Sequence, residues 1–343
     1  MIEIVLARPG QFVAAAAVDP RPVAGEALVR VHRIGVCGTD LHAFAGRQPF
    51  FEYPRILGHE LGVEVLEIAP RKALPGGTDS APANSELQPG DRCAVEPYLH
   101  CGHCRACRLG RYNCCETLQC LGVHADGGMR ELFRVPIELL HRSDKLSLDQ
   151  LALVETLGIG AHAVERSDLQ AGERALVVGA GPIGLAVVQF ALLAGSRVDV
   201  LEQNDARREF VGQFDVNALA HPDGTRYDVV FDATGSAAAM AASLQYVDHG
   251  GRLVFVGLVL GSVALDDPLF HRREVTLHAS RNSCHDFPRI IRLIEEGRLD
   301  TRPWITHRLS LAQVPGEFAA LGESPGLVKA MIEVGKHGKG PDG

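Results

Sequence analysis

The sequence predicts an α/β protein in which a β-rich domain is followed by a doubly wound parallel sheet. Residues 1–68 contain short and alternating apolar runs broken by Gly and Pro, which is typical of short antiparallel strands. Later in the chain, continuous β-branched runs alternate with helical segments, which is typical of a parallel sheet covered on both faces. The length of 343 residues and the 46% hydrophobic content allow two domains, at roughly 100–200 residues each.

The predicted β-rich domain covers residues 1–150. Its clearest strand patterns are "GEALVRVHRIGV" and "LGVEVLEIA". Residues 69–90 are rich in Pro, Gly, Ser and Asn, and this composition predicts a surface loop without a chemical role.

The predicted doubly wound domain covers residues 151–286. A helical pattern, "LSLDQLALVETLGIGAHAVERS", runs across its start at residues 146–167. Beyond it the sequence alternates between strands and helices: "RALVVGAG", "PIGLAVVQFALLAG", "RVDVLEQ", "YDVVFDATG", "SAAAMAASLQYV" and "GRLVFVGLV". Residues 287–343 return to a helix and a mixed segment, which we expect to complete the first domain.

Charge and the amino-terminal composition exclude several functional classes. The net charge is −8 and long basic runs are absent, which argues against a nucleic-acid or anionic-membrane surface. The amino terminus has no charged leader followed by an apolar core, and the chain has no 18-residue apolar run. We therefore expect a cytoplasmic protein, in which thiols stay reduced and clustered cysteines bind metal rather than form disulfides.

The segment "VVGAGPIG" places Gly179, Gly181 and Gly184 between a predicted strand and a predicted helix that begins with Pro182 and Ile183. Such glycines allow a tight turn and the approach of a pyrophosphate to the helix N-terminus, although a glycine turn that only packs has the same pattern.

An acidic residue follows the next predicted strand. Glu202 is placed to accept hydrogen bonds from the adenosine ribose, and its charge would repel a 2′-phosphate, which favours NAD over NADP. Arg207 lies either beside the adenine or in solvent on a helix.

Six of the nine cysteines lie between residues 101 and 120. Cys101, Cys104, Cys107 and Cys115 have the spacing C-x2-C-x2-C-x7-C, and four thiolates at about 2.3 Å complete the shell of a structural Zn²⁺. This predicts a zinc lobe over about residues 93–118. Cys114 is adjacent, and the spacing also allows it in place of Cys115. Cys93, Cys120 and Cys284 are expected to be small packed residues.

A second possible metal site combines sulfur, nitrogen and oxygen ligands. Cys37 in "IGVCGTDLHAF", His59 and Glu60 in "ILGHE", and Glu155 in "LVETLG" form this set. Zinc with three protein ligands keeps a position for water or substrate and is typically catalytic. Asp40 is expected to orient a ligand imidazole, or else to be a surface carboxylate.

Together, "CGTDLH", "GHE", "CGHCRACRLGRYNCC", "GVHADGGMRELFRVP", "VVGAGPIG" and "FDATG" resemble the zinc-dependent medium-chain alcohol dehydrogenases, from about residue 20 to the carboxyl end. The chain is most similar to the branch acting on polyols and sugar acids, such as sorbitol, threonine and L-idonate dehydrogenases, because Glu155 stands where other members carry a ligand cysteine. The resemblance implies a GroES-like catalytic domain split around a Rossmann domain, with the active site in the cleft between them.

The resemblance also implies roles for individual residues. Cys37 and His59 are implied as ligands of the catalytic zinc, completed by Glu60, Glu155 or both, directly or through water. Thr39 would hydrogen-bond the substrate hydroxyl, and His42 would pass its proton to solvent through the nicotinamide ribose.

Two features depart from the family pattern. Thr156 follows Glu155 where many relatives have proline, which could shift Glu155 relative to the metal. The loop over residues 69–90 is longer than usual, and we expect this difference to leave the chemistry unchanged.

The predicted activity is therefore reversible oxidation of a secondary alcohol by NAD in an enzyme with two zinc ions, one catalytic and one structural. The 6% aromatic content weakly favours a polar substrate. Arg281, Asn282 and the run His271, Arg272 and Arg273 either bind a substrate carboxylate or lie at an interface or in solvent. Gly257 is expected to allow close approach to the nicotinamide. A homotetramer or homodimer is expected from the family.

Two rival functions remain open at the level of sequence. A zinc-free quinone or enone reductase of the same fold is disfavoured by Cys37, His59 and the cysteine lobe. A non-catalytic zinc protein that senses redox state by binding a dinucleotide would hold only the lobe zinc, so metal content separates it from an enzyme.

Overall fold

A computed structural model of the chain describes residues 1–48, 51–69, 87–324 and 326–335. It divides into two compact units. Unit 1 contains Met1–Arg108, Cys115–Glu155 and Phe287–Gly343, and unit 2 contains Leu109–Cys114 and Thr156–Asp286. Most of the loop predicted over residues 69–90, namely residues 70–86, lies outside the described residues.

The helices and strands follow one another in chain order. The strands are β1 Ile2–Arg8, β2 Gln11–Ala16, β3 Glu26–Val36, β4 Glu60–Ala69, β5 Arg92–Val95, β6 Tyr98–Leu99, β7 Gln119–Cys120, β8 Leu132–Pro136, β9 Leu140–Arg142, β10 Arg174–Val178, β11 Arg197–Leu201, β12 Asn217–Leu219, β13 Tyr227–Asp232, β14 Val247–Phe255, β15 Thr276–Ala279, β16 Ile305–Ser310 and β17 Lys329–Glu333. The helices are α1 Gly38–Phe44, α2 Arg105–Arg108, α3 Leu148–Ala152, α4 Val154–Ser167, α5 Pro182–Leu193, α6 Asp205–Val211, α7 Ala237–Ser243, α8 Asp267–Arg272, α9 Phe287–Glu295 and α10 Val314–Leu321. Short 3-10 helices cover Tyr112–Cys114, Ile137–Leu139, Leu244–Tyr246, Arg302–Trp304 and Leu311–Gln313.

Unit 1 is built around a seven-stranded sheet. Its order is β16-β17-β3-β4-β5-β9, and β8 also pairs with β3. The pairs are antiparallel except for β16 with β17. The long central strand β3 alternates buried and more exposed side chains over most of its length, as expected for a strand with one face on the core. Strands from the two ends of the chain therefore share one sheet.

Unit 2 is a parallel sheet of six strands in the order β12-β11-β10-β13-β14-β15. Numbered within the unit, this order is 3-2-1-4-5-6, that of a Rossmann fold, which binds its ligand beyond the carboxyl ends of the strands. Strands β10 and β13 are almost entirely buried, which explains their unbroken apolar sequences. The sheet thus places the segments that follow β10 and β11 side by side.

Local signals explain where several helices begin. Ser147 caps α3 and accepts a hydrogen bond from the Gln150 N–H at 3.3 Å, and Asn204 caps α6 through the Arg207 N–H at 3.0 Å. The helical pattern predicted as one segment forms two helices, because the chain leaves helical geometry at Leu153, between α3 and α4. Among the described residues, no helix has the length and apolar character needed to cross a membrane.

Candidate metal centres and dinucleotide site

The mixed-ligand group lies in unit 1 at the start of β4 and just after β3. Ligand atoms of Cys37, His59 and Glu60 all lie within 4.8 Å of one another. His59 and Glu60 are buried, whereas Cys37 is half-buried. Residues from separate strands therefore supply sulfur, nitrogen and oxygen donors at one point, and such a donor set suits zinc.

Several buried polar atoms at this point have no hydrogen-bond partner in the part of the chain that the structure describes. Glu60 Oε2, His59 Nδ1 and Asp40 Oδ1 are buried and have no hydrogen-bond partner among the described residues. A buried polar atom without a partner is costly unless something else binds it. Asp40 Oδ1 faces His59 Nδ1 at 3.7 Å, while its other oxygen accepts the Cys37 N–H at 2.9 Å. Two of these atoms therefore face each other, and Glu60 Oε2 is the one that is free to bind a cation.

The charges around the group also favour a cation. Burial alone would lower the pKa of His59, but the negative charges of Asp40 and Cys37 outweigh burial and raise this pKa well above its usual value. Burial raises the pKa of Asp40, and the charge of His59 only partly opposes that effect. The pocket therefore stabilises positive charge, as a Zn²⁺ site must.

Glu155 lies near this group but is not one of the three residues whose ligand atoms are within 4.8 Å of one another. It is 5% exposed, and the Tyr98 hydroxyl donates a hydrogen bond to its Oε1 at 2.5 Å. Burial raises the pKa of Glu155, and the charge of His59 partly opposes this. Tyr98 was not singled out from the sequence, because a lone buried tyrosine carries no motif.

A lysine that the sequence analysis also missed completes the pocket. Lys329 Nζ donates to Glu60 Oε1 at 2.5 Å, and both side chains are 1% exposed. Burial alone would lower the pKa of Lys329, but the charges of Glu60, Cys37 and Glu155 raise it. Glu60 is therefore engaged through one oxygen.

The two residues implied as a proton path lie on α1. Thr39 is half-buried and His42 is exposed. Asp40, between them, anchors the start of the helix through the Cys37 N–H.

The cysteine lobe is folded around four sulfurs. The Sγ atoms of Cys101, Cys104, Cys107 and Cys115 all lie within 4.8 Å of one another. The structure therefore brings Cys115 into the group and leaves Cys114 exposed outside it. Of the other cysteines, Cys93 is fully buried in the core of unit 1, whereas Cys120 and Cys284 are half-buried.

Backbone donors pre-orient these sulfurs. Cys101 N–H points to Cys115 Sγ at 3.3 Å, and Cys104 N–H points to Cys101 Sγ at 3.3 Å. Burial alone would raise the pKa of Cys115, but N–H donors from Cys101 and Thr117 outweigh it and bring the pKa to about 6. Burial and the neighbouring thiols raise the pKa of Cys107 to about 12. Without a cation between them, four sulfurs this close cannot all ionise, and a Zn²⁺ among them would let all four bind as thiolates.

The glycine loop of unit 2 shows a separate reason for each glycine. Gly179 has a φ of +94°, which side chains disfavour. An ideal Cβ on Gly184 would lie 1.8 Å from the Gly179 carbonyl oxygen, so this position must lack a side chain. A Cβ on Gly181 would meet nothing within 4 Å. Gly181 caps α5, with Pro182 as its first residue, and Ile183 follows. Open space at a helix N-terminus fits a pyrophosphate.

The different surroundings of Gly181 and Gly184 predict that one substitution affects NADH binding and the other affects stability. Gly181→Ala should leave the thermal unfolding temperature nearly unchanged and weaken NADH binding by at least about tenfold, because the methyl group would occupy space that a pyrophosphate needs. Gly184→Ala should destabilise the fold itself, since its Cβ would overlap backbone. Thermal unfolding and fluorescence titration with NADH measure the two effects. Equal NADH affinity in Gly181→Ala and wild type would contradict the assignment.

Glu202 lies directly after β11 and contacts the glycine loop. It is 8% exposed, its Oε2 accepts the Ala180 N–H at 2.8 Å, and its Oε1 accepts the Asn204 N–H at 2.8 Å. Each carboxylate oxygen retains capacity for a further donor. Arg207 is half-buried on α6, and the neighbouring Arg208 donates to the Glu202 carbonyl at 3.1 Å.

Gly257 follows β14, and its nearest neighbour is another loop of unit 2. A Cβ here would lie 2.4 Å from the Gly235 nitrogen, so the protein itself requires the missing side chain. A possible carboxylate-binding residue, Arg273, is instead buried, and its guanidinium donates to the carbonyls of Gln245 and Val247 at 2.9 and 2.6 Å. Arg273 is therefore structural. Arg281 Nε donates to the Asn113 carbonyl at 3.2 Å within the same unit.

A third group of potential ligands in unit 2 has no counterpart in the sequence analysis. Ligand atoms of His162, Glu165 and Asp286 lie within 4.8 Å of one another. Glu165 is exposed, and His162 Nε2 lies 3.1 Å from the Asn113 side-chain nitrogen.

Comparison with known proteins agrees with both units. Residues 23–145 match the family described as alcohol dehydrogenase GroES-like domain, and residues 182–296 match the family described as zinc-binding dehydrogenase. These matches confirm the predicted fold class, a GroES-like domain with a Rossmann domain.

Individual relatives cover nearly the whole chain. The L-galactonate-5-dehydrogenase of Escherichia coli (strain K12) is 39% identical over 307 residues, which cover 85% of this chain and 87% of that protein. The 2-dehydro-3-deoxy-L-galactonate 5-dehydrogenase of Pseudoalteromonas atlantica is 33% identical over 327 residues, which cover 91% of this chain and 92% of that protein. The solved structure of an alcohol dehydrogenase of E. coli CFT073 with NADH has a TM-score of 0.86 and 27% sequence identity to this chain. The match covers 97% of this chain and 99% of that one. The chain therefore belongs to the zinc-dependent medium-chain alcohol dehydrogenases, the oxidoreductase family that the sequence motifs resemble.

Proposed function

We propose that this enzyme uses NAD to oxidise, reversibly, a secondary hydroxyl group of a sugar acid or polyol. The observation that carries the proposal is the close approach of Cys37, His59 and Glu60, whose mixed donors suit an open zinc site. Relatives named as dehydrogenases of L-galactonate and of 2-dehydro-3-deoxy-L-galactonate support a sugar-acid substrate.

The metal ligands and their supports have distinct tasks. When bound, Zn²⁺ lowers the pKa of a coordinated hydroxyl and NAD accepts the hydride. Cys37, His59 and Glu60 would hold the metal. Asp40 Oδ1 lies 3.7 Å from His59 Nδ1, so Nε2 would be left for the metal and the Asp40 charge would favour this orientation of the ring. Tyr98 holds Glu155 at the edge of the group, where Glu155 would complete the shell directly or through water.

Thr39 and His42 would move the proton of the substrate hydroxyl. Thr39, half-buried and two residues after Cys37, would accept a hydrogen bond from that hydroxyl. His42 is exposed, so a proton that reaches it can leave to solvent. Neither role requires either side chain to ligate the metal.

The same proposal assigns the cofactor-binding residues. Gly179, Gly181 and Gly184, with Pro182 and Ile183, would receive the pyrophosphate at the start of α5. The Glu202 carboxylate would bind the adenosine ribose and repel a 2′-phosphate, so NAD is preferred to NADP. Arg207 and Gly257 are proposed to lie beside the adenine and the nicotinamide respectively.

A substrate screen with the purified enzyme tests the function. We expect NADH absorbance to rise at alkaline pH with a sugar acid or polyol, much faster than with a hydroxy amino acid or a long apolar alcohol. Activity with NADP should be at least about tenfold lower, since the Glu202 charge opposes a 2′-phosphate. No turnover with any secondary alcohol would contradict the proposal.

Metal content distinguishes the enzyme from the rival functions. About two zinc ions per chain, one of them removed readily by a chelator with loss of activity, support the enzyme. A protein that holds only the lobe zinc would instead support the redox-sensor function. A cytoplasmic location and a homodimer or homotetramer are part of the same proposal, and size measurement in solution tests the assembly.

A further inference from the structure

The buried contact between Glu60 and Lys329 joins strands that are not neighbours in the sheet. Strand β3 lies between β4, which begins with Glu60, and β17, which begins with Lys329. Neighbouring strands lie about 4.8 Å apart, so the two backbones are separated by roughly 10 Å. The two side chains must therefore meet across β3.

Gly35 is what allows them to meet. It pairs with Glu60 on one side and with Met331 on the other, and directly paired residues point to the same face. Lys329 lies two residues before Met331, which places it on that same face. An ideal Cβ on Gly35 would lie 2.0 Å from Glu60 Oε2 and 3.0 Å from Glu60 Cβ. The Glu60 carboxylate thus lies over β3 in the space that a side chain would take.

The two oxygens of Glu60 have different environments. Oε1 accepts the hydrogen bond from Lys329 Nζ at 2.5 Å, and Oε2 is buried with no hydrogen-bond partner among the described residues. The same carboxylate contributes to the group with Cys37 and His59. Because Lys329 holds Oε1, the Glu60 side chain can place Oε2 in far fewer positions than a free glutamate could.

We propose that Lys329 is a positioning residue, which holds Glu60 by Oε1 across Gly35 so that Oε2 is fixed toward the catalytic metal. This inference rests on the proposed function, because it assigns Glu60 to the zinc shell. It gives Lys329 no contact with the substrate. It also explains why an ammonium is buried at the start of β17, where a strand would otherwise carry an apolar residue.

The inference is tested by measuring how fast zinc leaves the full-length protein. The zinc-loaded enzyme is mixed with excess 4-(2-pyridylazo)resorcinol, and the fast phase of release is assigned to the open site. Lys329→Met should accelerate this phase by about 10- to 100-fold, the usual effect of removing a group that orients a metal ligand. Met331→Leu, two residues along the same strand, is the matched control and should leave the rate unchanged.

A double-mutant cycle separates positioning from a merely structural role. In a Glu60→Ala background, Lys329→Met should change the release rate by less than about twofold, since residue 60 then has no side-chain oxygen for Lys329 to hold. Full additivity of the two substitutions, or unchanged or slower release from Lys329→Met, would overturn the inference. Gly35→Ala is a second variant that displaces Glu60 without removing Lys329, and it should also accelerate release. If Lys329→Met does not fold, the Gly35→Ala result decides: unchanged release would overturn the inference.

The wild-type enzyme separates this inference from the proposed function. Two bound zinc ions with polyol or sugar-acid turnover, together with an additive cycle, would remove only the role of Lys329. A wild type that lacks the second zinc and turns over no alcohol would instead remove the proposed function.

Discussion

Cys37→Ala is expected to lower kcat for the preferred alcohol by at least about 10³-fold. Without the open zinc, nothing lowers the pKa of the substrate hydroxyl, which therefore keeps its proton. Cys37 follows β3 directly and is half-buried, so its removal leaves the sheet of unit 1 intact. The protein should keep its unfolding temperature within a few degrees and retain only the lobe zinc. Steady-state rates of NADH formation and zinc analysis of the same sample measure both effects.

The control for this variant is another cysteine of the same unit. Cys93 lies on β5, is fully buried and belongs to none of the ligand groups. Cys93→Ala should cost about 1 kcal/mol of stability, as the loss of a small buried group does, and should leave kcat within about twofold. A Cys37→Ala enzyme that keeps most of its activity would refute the assignment of Cys37 as a ligand of a catalytic metal.

Cys115→Ala is expected to destabilise the protein by several kcal/mol, because a structural zinc contributes about 10–16 kcal/mol to the folding of its site. The lobe has little other support. Its helix α2 has no buried residue, β6 and β7 are two-residue strands, and its small core consists largely of the cysteines themselves with Tyr98 and Leu118. Removing one sulfur therefore removes most of what holds the lobe together.

Adjacent cysteines provide the control. Cys114 is exposed and lies outside the four-sulfur group, so Cys114→Ala should change the unfolding temperature by no more than about 1 °C, as surface substitutions usually do. Cys104→Ala should behave like Cys115→Ala. Calorimetry with parallel zinc analysis distinguishes the variants. If Cys114→Ala were the destabilised variant and Cys115→Ala the neutral one, the lobe would be folded differently from this structure.

Local motifs accounted for much of the fold and of the candidate site. The run after β10 specifies its own turn, because Gly179 is constrained by its own positive φ and Gly184 by the carbonyl oxygen of Gly179, five residues earlier. The four lobe cysteines are likewise close in sequence. Alternation in β3 and continuous apolar runs in β10 and β13 gave the two sheet types. In each case the pattern and the contact it encodes lie in the same short segment.

The sequence left open what depends on distant segments. The spacing allowed either Cys114 or Cys115 in the lobe, and only the folded turn placed Cys115 with the other sulfurs. Arg273 was compatible with substrate binding until its guanidinium was found bound to backbone carbonyls. Tyr98, which holds Glu155, is 57 residues away from it in the chain.

By itself, the sequence determined two domain types, a dinucleotide loop, a four-cysteine lobe and a set of possible zinc ligands. Tertiary structure decided how Glu60 is held, through Lys329, a residue 269 positions away. The physical reason is strand pairing. The register of three remote segments decides which residues face each other across β4, β3 and β17. The role of Gly35 is visible only in the folded sheet, where the Glu60 carboxylate from the next strand fills the space of the missing side chain.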